Sequence, residues 1–189
     1  MWMIDAVGNR LSLEYDANDR LQAVIDKASS RSLSFHYNDD GLVEYISGPV
    51  TEAVTDSIWV SYDYDDDFNL VSVTYADGSG FNYAYTDEND VNNLTEKRNK
   101  ANHLLNTWGY DNRDRVIENF SRDGKGVSIE YVSDAQVNVT DAYGKERQYF
   151  LTDVSCRKRV ESVTSNQGSP VGAPYNTVLI ILLRGFMMT

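Results

Sequence analysis

The chain alternates before it does anything else. Leu11, Leu13 and Tyr15 point one way, and Ser12, Glu14 and the following Asp16 point the other. This period of two is the signature of a half-buried strand, whereas a helix would space its apolar positions by three and four. The same alternation returns in Leu33, Phe35 and Tyr37, in Val60, Tyr62 and Tyr64, in Phe81, Tyr83 and Tyr85, and in Val127, Ile129 and Tyr131. Each run offers one face that favours burial and one that accepts water.

The aromatic or apolar residue ending each run recurs at Tyr15, Tyr37, Tyr64, Tyr85, Tyr110, Tyr131 and Leu151, at intervals of 22, 27, 21, 25, 21 and 20 residues. A period near 21 with two polar insertions, placed at residues 48–57 and 99–103, marks a tandem repeat. Two kinds of turn separate the strands. One follows the aromatic (residues 16–19, 38–41, 65–68 and 111–114), and the other lies between repeats (5–8, 76–79, 122–125 and 141–144). Asp early and Gly late suits a type I turn closed by a left-handed residue, a common hairpin connection. The expected fold is all-β: a curved antiparallel meander of about 12 to 14 strands, built from seven hairpin-like repeats over residues 1–164.

Residues 165–189 break the pattern. A Gly- and Pro-containing stretch leads into Val178-Leu179-Ile180-Ile181-Leu182-Leu183, a continuous apolar run. It reads as an edge strand or poorly packed tail, or as a stretch thrown out of register by a frameshift in the coding sequence. It is too short to cross a bilayer. The N-terminus lacks a charged region followed by an apolar core and so reads as no signal peptide.

Composition sharpens this picture. Tyr is over-used at 13 residues against 6 Phe and 3 Trp, and only 3 Pro occur, as suits strands joined by Asp, Asn and Gly turns. The net charge of −12 opposes binding to nucleic acid or an anionic membrane and favours solubility. Cys156 is the single cysteine, so no disulfide framework or zinc set can form within one chain.

The motifs Asp5-x-x-Gly8-Asn9-Arg10, Tyr15-Asp16-x-x-x-Arg20-Leu21, Tyr64-Asp65-x-x-x-Asn69-Leu70 and Tyr110-Asp111-x-x-Asp114-Arg115 resemble YD repeats. These define the family named after rearrangement hotspots (Rhs), also seen in shell subunits of insecticidal toxin complexes and in teneurins. The resemblance spans residues 4–164. It implies a β-sheet that curls into a hollow shell around a polypeptide, often a toxin domain, in a bacterial polymorphic toxin or cell-surface protein. It also implies structural roles for the motif residues Tyr15, Asp16, Arg20, Tyr37, Tyr64, Asp65, Tyr85, Tyr110, Asp111, Arg115 and Tyr131. The implied partners are the rest of a larger shell and its enclosed polypeptide, with edge-to-edge self-association through open strands. The implied location is secreted or at the cell surface, and the missing signal peptide leaves the cytoplasm open for a fragment.

Departures limit what carries over. Tyr85-Thr86 and Tyr131-Val132 lose the Asp, and Leu151 replaces the Tyr. The family's self-cleaving core with paired Asp-Pro motifs is missing, as is a variable toxin domain, so self-cleavage and toxicity fall on no residue here. Seven repeats are too few to close a cage, which points to a fragment, a truncated member or an orphan cassette.

The candidate chemistry is thin. Asp63, Asp65, Asp66, Asp67 and Asn69 suggest a calcium loop, but Phe68 and Thr74 stand where an EF-hand needs Gly and Glu. Asp87, Glu88, Asn89 and Asp90 likewise read as a solvated turn. Among 29 acidic residues, some pair meets the spacing of a glycosidase by accident. A Ser–His–carboxylate set would need a nucleophile beside His36 or His103, and no nucleophile elbow occurs. Gly124-Lys125-Gly126 lacks the phosphate-loop spacing. Arg157 to Arg159 could activate Cys156 but reads as a solvated strand face. No enzyme, cofactor or metal site is therefore expected. The main alternative function is an adhesin-like sheet binding carbohydrate or peptide through its aromatics.

Overall fold

The computed structural model describes residues 1–49, 57–155 and 157–165, and these contain strands and turns but no helix. Fifteen strands follow one another in chain order within one sheet. They are β1 (Trp2–Ile4), β2 (Arg10–Tyr15), β3 (Leu21–Asp26), β4 (Ser32–Tyr37), β5 (Val43–Ser47), β6 (Ile58–Tyr64), β7 (Leu70–Tyr75), β8 (Gly80–Ala84), β9 (Glu96–Asn99), β10 (Leu104–Tyr110), β11 (Val116–Ser121), β12 (Gly126–Ser133), β13 (Gln136–Asp141), β14 (Glu146–Val154) and β15 (Arg157–Ser165). The all-β meander of hairpins is thus what the alternation encodes. The count exceeds the expected 12 to 14 because β1 stands ahead of the first repeat; the seven repeats supply two strands each.

The described residues divide into two compact units, those of Met1–Tyr83 with Asn99–Asn102, and those of Ala84–Arg98 with the described residues from His103 to Ser165. In the first unit, cross-strand partners keep the two faces distinct. Leu13, Val24 and Leu33 lie in register, as do Tyr62, Val73 and Phe81, so all share one face. Glu14, Ala23, Ser34 and Ser47 share the other, together with His36, Tyr45, Ser61 and Thr74. Apolar cross-strand pairs stabilise such ladders by roughly 0.2–1 kcal/mol each. Few side chains are fully buried: in this unit only Ala23 and Val73 are buried among the described apolar residues, and Asn69 is a buried polar one. Most of the apolar face is half-buried, because strands of one sheet cover each other's side chains only at their flanks.

The second unit holds the densest packing. Ile129, Val137, Val139 and Tyr149 form a buried cluster, with Val127, Tyr131, Leu151, Val160 and Val163 packed against it. Register explains it: Ile129 lies opposite Val139, and Tyr131, Val137, Tyr149 and Val163 lie in line across four strands. The reverse face is polar. There Asn138 donates to Glu130 at 3.0 Å, Gln136 to Asn138 at 3.0 Å, and Gln148 to Glu146 at 3.1 Å.

The first insertion falls between β5 and β6, with residues 50–56 outside the described set. The second lies elsewhere than the sequence suggested. Residues 99–103 form a tight turn between β9 and β10, with Asn102 at φ 63° and its N–H donating to the Asn99 carbonyl at 2.9 Å. The extra residues occupy the loop 85–95 between β8 and β9. Its carboxylates brace the loop itself: Asp87 accepts from the Asn89 amide at 3.0 Å and from the Asn93 side chain at 2.9 Å. The apolar run at 178–183 and Cys156 lie outside the described residues.

Candidate functional site: the hairpin tips

The motif residues gather at the tips joining the first and second strand of each repeat. In the tip after β2, one Asp16 oxygen accepts the backbone amides of Asn18 at 2.8 Å and Arg20 at 2.9 Å. Its second oxygen accepts the Arg20 Nε at 2.8 Å. Asp65 repeats this, accepting the amides of Asp67 at 3.0 Å and Asn69 at 2.8 Å and the Asn69 side chain at 3.2 Å. Asp111 does the same for Arg113 and Arg115, whose guanidinium approaches to 2.6 Å. Asn38 serves with its amide oxygen, accepting from Leu42 at 2.9 Å. The short Asp side chain reaches back over its own turn, which is why turns select it. The fourth tip residue is left-handed each time: Asp19 at φ 60°, Gly41 at 81°, Phe68 at 63° and Asp114 at 56°. Phe68 is the anomaly, a bulky side chain in a conformation that favours Gly, Asn or Asp.

Tyr15, Tyr37, Tyr64 and Tyr110 end their first strands, and Tyr131 lies two residues before the end of β12. A register shift immediately precedes Tyr15, Tyr37, Tyr64 and Tyr110, so each ring is re-aimed by a bulge. Tyr37 donates its hydroxyl to the Leu21 carbonyl at 2.7 Å, Tyr64 to Val43 at 3.0 Å, Tyr110 to Leu94 at 2.8 Å and Tyr131 to Val116 at 3.1 Å. Arg20 lies over the Tyr37 ring, 4.4 Å from its centre, and Arg115 over Tyr131 at 4.0 Å. Burial pushes the Tyr110 and Tyr131 hydroxyls upward in pKa, against the Arg115 charge in the case of Tyr131. Tyr15 is more exposed, and Tyr85 follows the end of β8.

The carboxyls shift the other way. For Asp16 the amide of Arg20 leads in holding the carboxyl below its ordinary value of 3.8. For Asp65 and Asp111, burial pulls upward but the hydrogen bonds outweigh it and both titrate low. Each group therefore binds its proton more weakly folded than unfolded. Its contribution to stability is complete above the ordinary value and is lost as pH falls through the lower folded value. The urea midpoint of the chain is expected to be flat near neutrality and to fall as the pH drops below about 4 and on through the lowered folded values. Asp111→Asn should flatten part of that acid limb; an unchanged limb would count against the tip carboxylates as its source.

Catalytic geometry is sparse. The structure does bring a serine beside a histidine, which the sequence had not indicated: His36 Nε2 lies 3.0 Å from Ser47 Oγ. Cross-strand register placed them together, and a sequence separation of 11 hides such a pair. The His36 ring stacks on Tyr45 at 4.1 Å, and among the described residues no carboxylate bonds it, so the orienting third member of a triad is missing. A cavity of about 440 Å³ is lined by Asn38, Asp40, Glu44, Tyr62, Asp63, Tyr64, Asp65, Asp66 and Phe68, with Asp65 committed to its own turn. Among the described residues no group of three His, Cys, Asp or Glu could hold a metal ion. Nor does any helix long and apolar enough to cross a membrane occur among them.

No protein-family model matches the chain, and no curated protein matches it in sequence. Solved structures do match in fold. A chain of the TcdB2-TccC3-Cdc42 crystal structure aligns with a TM-score of 0.58 at 13% identity, over 85% of this chain and 9% of that one. A chain of the TcdB2-TccC3 crystal structure aligns with a TM-score of 0.52 at 14% identity, over 88% of this chain and 11% of that one. This chain thus spans about a tenth of those neighbours, and at such identity the likeness is one of fold: the hairpin meander described above is similar to a stretch of those chains.

Proposed function

We propose that the chain is a non-catalytic segment of a YD-repeat shell, which together with further repeats encloses a polypeptide such as a toxin domain in a secreted or cell-surface protein. The observation that carries this reading is the recurrence of one tip, with its capping carboxylate or amide and left-handed fourth residue, at positions 16–19, 38–41, 65–68 and 111–114. A repeat that extends a sheet strand pair by strand pair suits a wall, because stability is distributed over neighbours rather than focused at a site. The fold likeness to TcdB2-TccC3 chains supports the same reading, and the small share of those chains that is covered agrees with a segment of something larger.

The test is an electron-microscopy reconstruction of the longest reading frame that contains residues 1–165, with protease protection of any polypeptide that follows it. A hollow enclosure with this sheet in its wall and a protected cargo supports the proposal. A solid particle with exposed cargo, or selective binding of the sheet to a glycan array, overturns it in favour of an adhesin-like module.

A further inference from the structure

We propose that the motif tyrosines from Tyr37 onward clamp the hairpin tip of the repeat before them, so that the Tyr and Asp adjacent in sequence serve two different tips. The acceptor carbonyls carry the argument. Tyr37 bonds Leu21, the residue following Arg20; Tyr64 bonds Val43, following Leu42; Tyr131 bonds Val116, following Arg115. In each case the acceptor opens the second strand of the preceding repeat, directly behind the tip that Asp16, Asn38 or Asp111 caps. Tyr110 follows suit in bonding Leu94 at the close of the long loop. Where the tip ends in Arg, that Arg also covers the ring of the next repeat, so its guanidinium is held between its own Asp and the following Tyr.

One connection departs from this pattern. After β12 the capping position is Val132, and the connection to β13 shrinks to a short turn at Asp134 and Ala135. The next repeat carries Leu151 where a Tyr would stand, and it meets that turn by a backbone bond, the Leu151 N–H donating to the Ala135 carbonyl at 2.8 Å. The turn whose capping position holds Val132 is thus followed by a repeat without a clamping hydroxyl, whereas the connections with Asn38 and Thr86 at that position are followed by Tyr64 and Tyr110, which keep it. Order at the tips therefore passes backward, from each repeat to the one before it.

Hydrogen–deuterium exchange on the full chain tests this with Tyr131→Phe, which removes the hydroxyl but keeps the ring beneath Arg115. The amides of Asp111, Asp114 and Arg115 are expected to exchange about five- to tenfold faster. Those of the tyrosine's own turn, around Ala135, should not change, and the Val139 amide reports any global loss. Tyr110→Phe should act on residues 93–95 and spare 111–115. Faster exchange at 133–136 with 111–115 unchanged, equal acceleration at both tips, or no change at either overturns the proposal.

Discussion

Replacing Gly80 by Ala is expected to cost about 3 kcal/mol or more, while the same change two residues earlier, at Gly78, costs about 1–2 kcal/mol. The two glycines look alike in sequence and differ in surroundings. Gly78 closes a turn at φ 78°, and a Cβ there meets nothing within 4 Å, so only left-handed strain opposes it. Gly80 sits at φ 147°, and a Cβ would stand 2.0 Å from the Val73 carbonyl oxygen. Backbone cannot yield there without breaking the β7–β8 ladder in which Gly80 faces Thr74. Gly126 repeats the situation against the Asn119 carbonyl, at 2.1 Å. Urea denaturation of the three variants decides the point. Similar midpoints for Gly78→Ala and Gly80→Ala would refute the close-approach argument.

The second large effect belongs to Tyr149. It is 4% exposed and lies between Val137 and Val163 in the buried cluster. Tyr149→Ala should destabilise by about 3–5 kcal/mol, since a large side chain leaves a cavity that its neighbours, held in a sheet, collapse poorly to fill. Tyr143→Ala, at an 85% exposed ring in the turn before β14, should stay within about 0.5 kcal/mol. If both changes cost the same, the cluster is not where the second unit keeps its stability.

The strands were legible because alternation records which side of a sheet each residue occupies, and the tyrosine period was legible because four of the repeats present the same bulge and tip. Other features left weaker traces. The Gly-x-Gly spacing at 78–80 and 124–126 reads as turn chemistry alone, because sequence does not say which carbonyl comes near. Residues 99–103 looked like an insertion and Asp87 to Asp90 like a solvated turn, since Asn and Asp serve a tight left-handed turn and a self-braced loop equally well. The contact of His36 with Ser47, and the reach of each tyrosine to the previous repeat, are products of register, which neighbouring letters do not record.

The loop at 85–95 has a bearing on how such chains grow. The Thr86 and Thr95 side chains meet at 2.9 Å and the Thr95 amide bonds the Ala84 carbonyl at 2.8 Å, so the loop is pinched shut at its base before β9 begins. Surplus chain is thereby contained within one connection between consecutive strands. An architecture closed off in this manner can take up new segments wherever a hairpin turns, each addition fastened at its own neck.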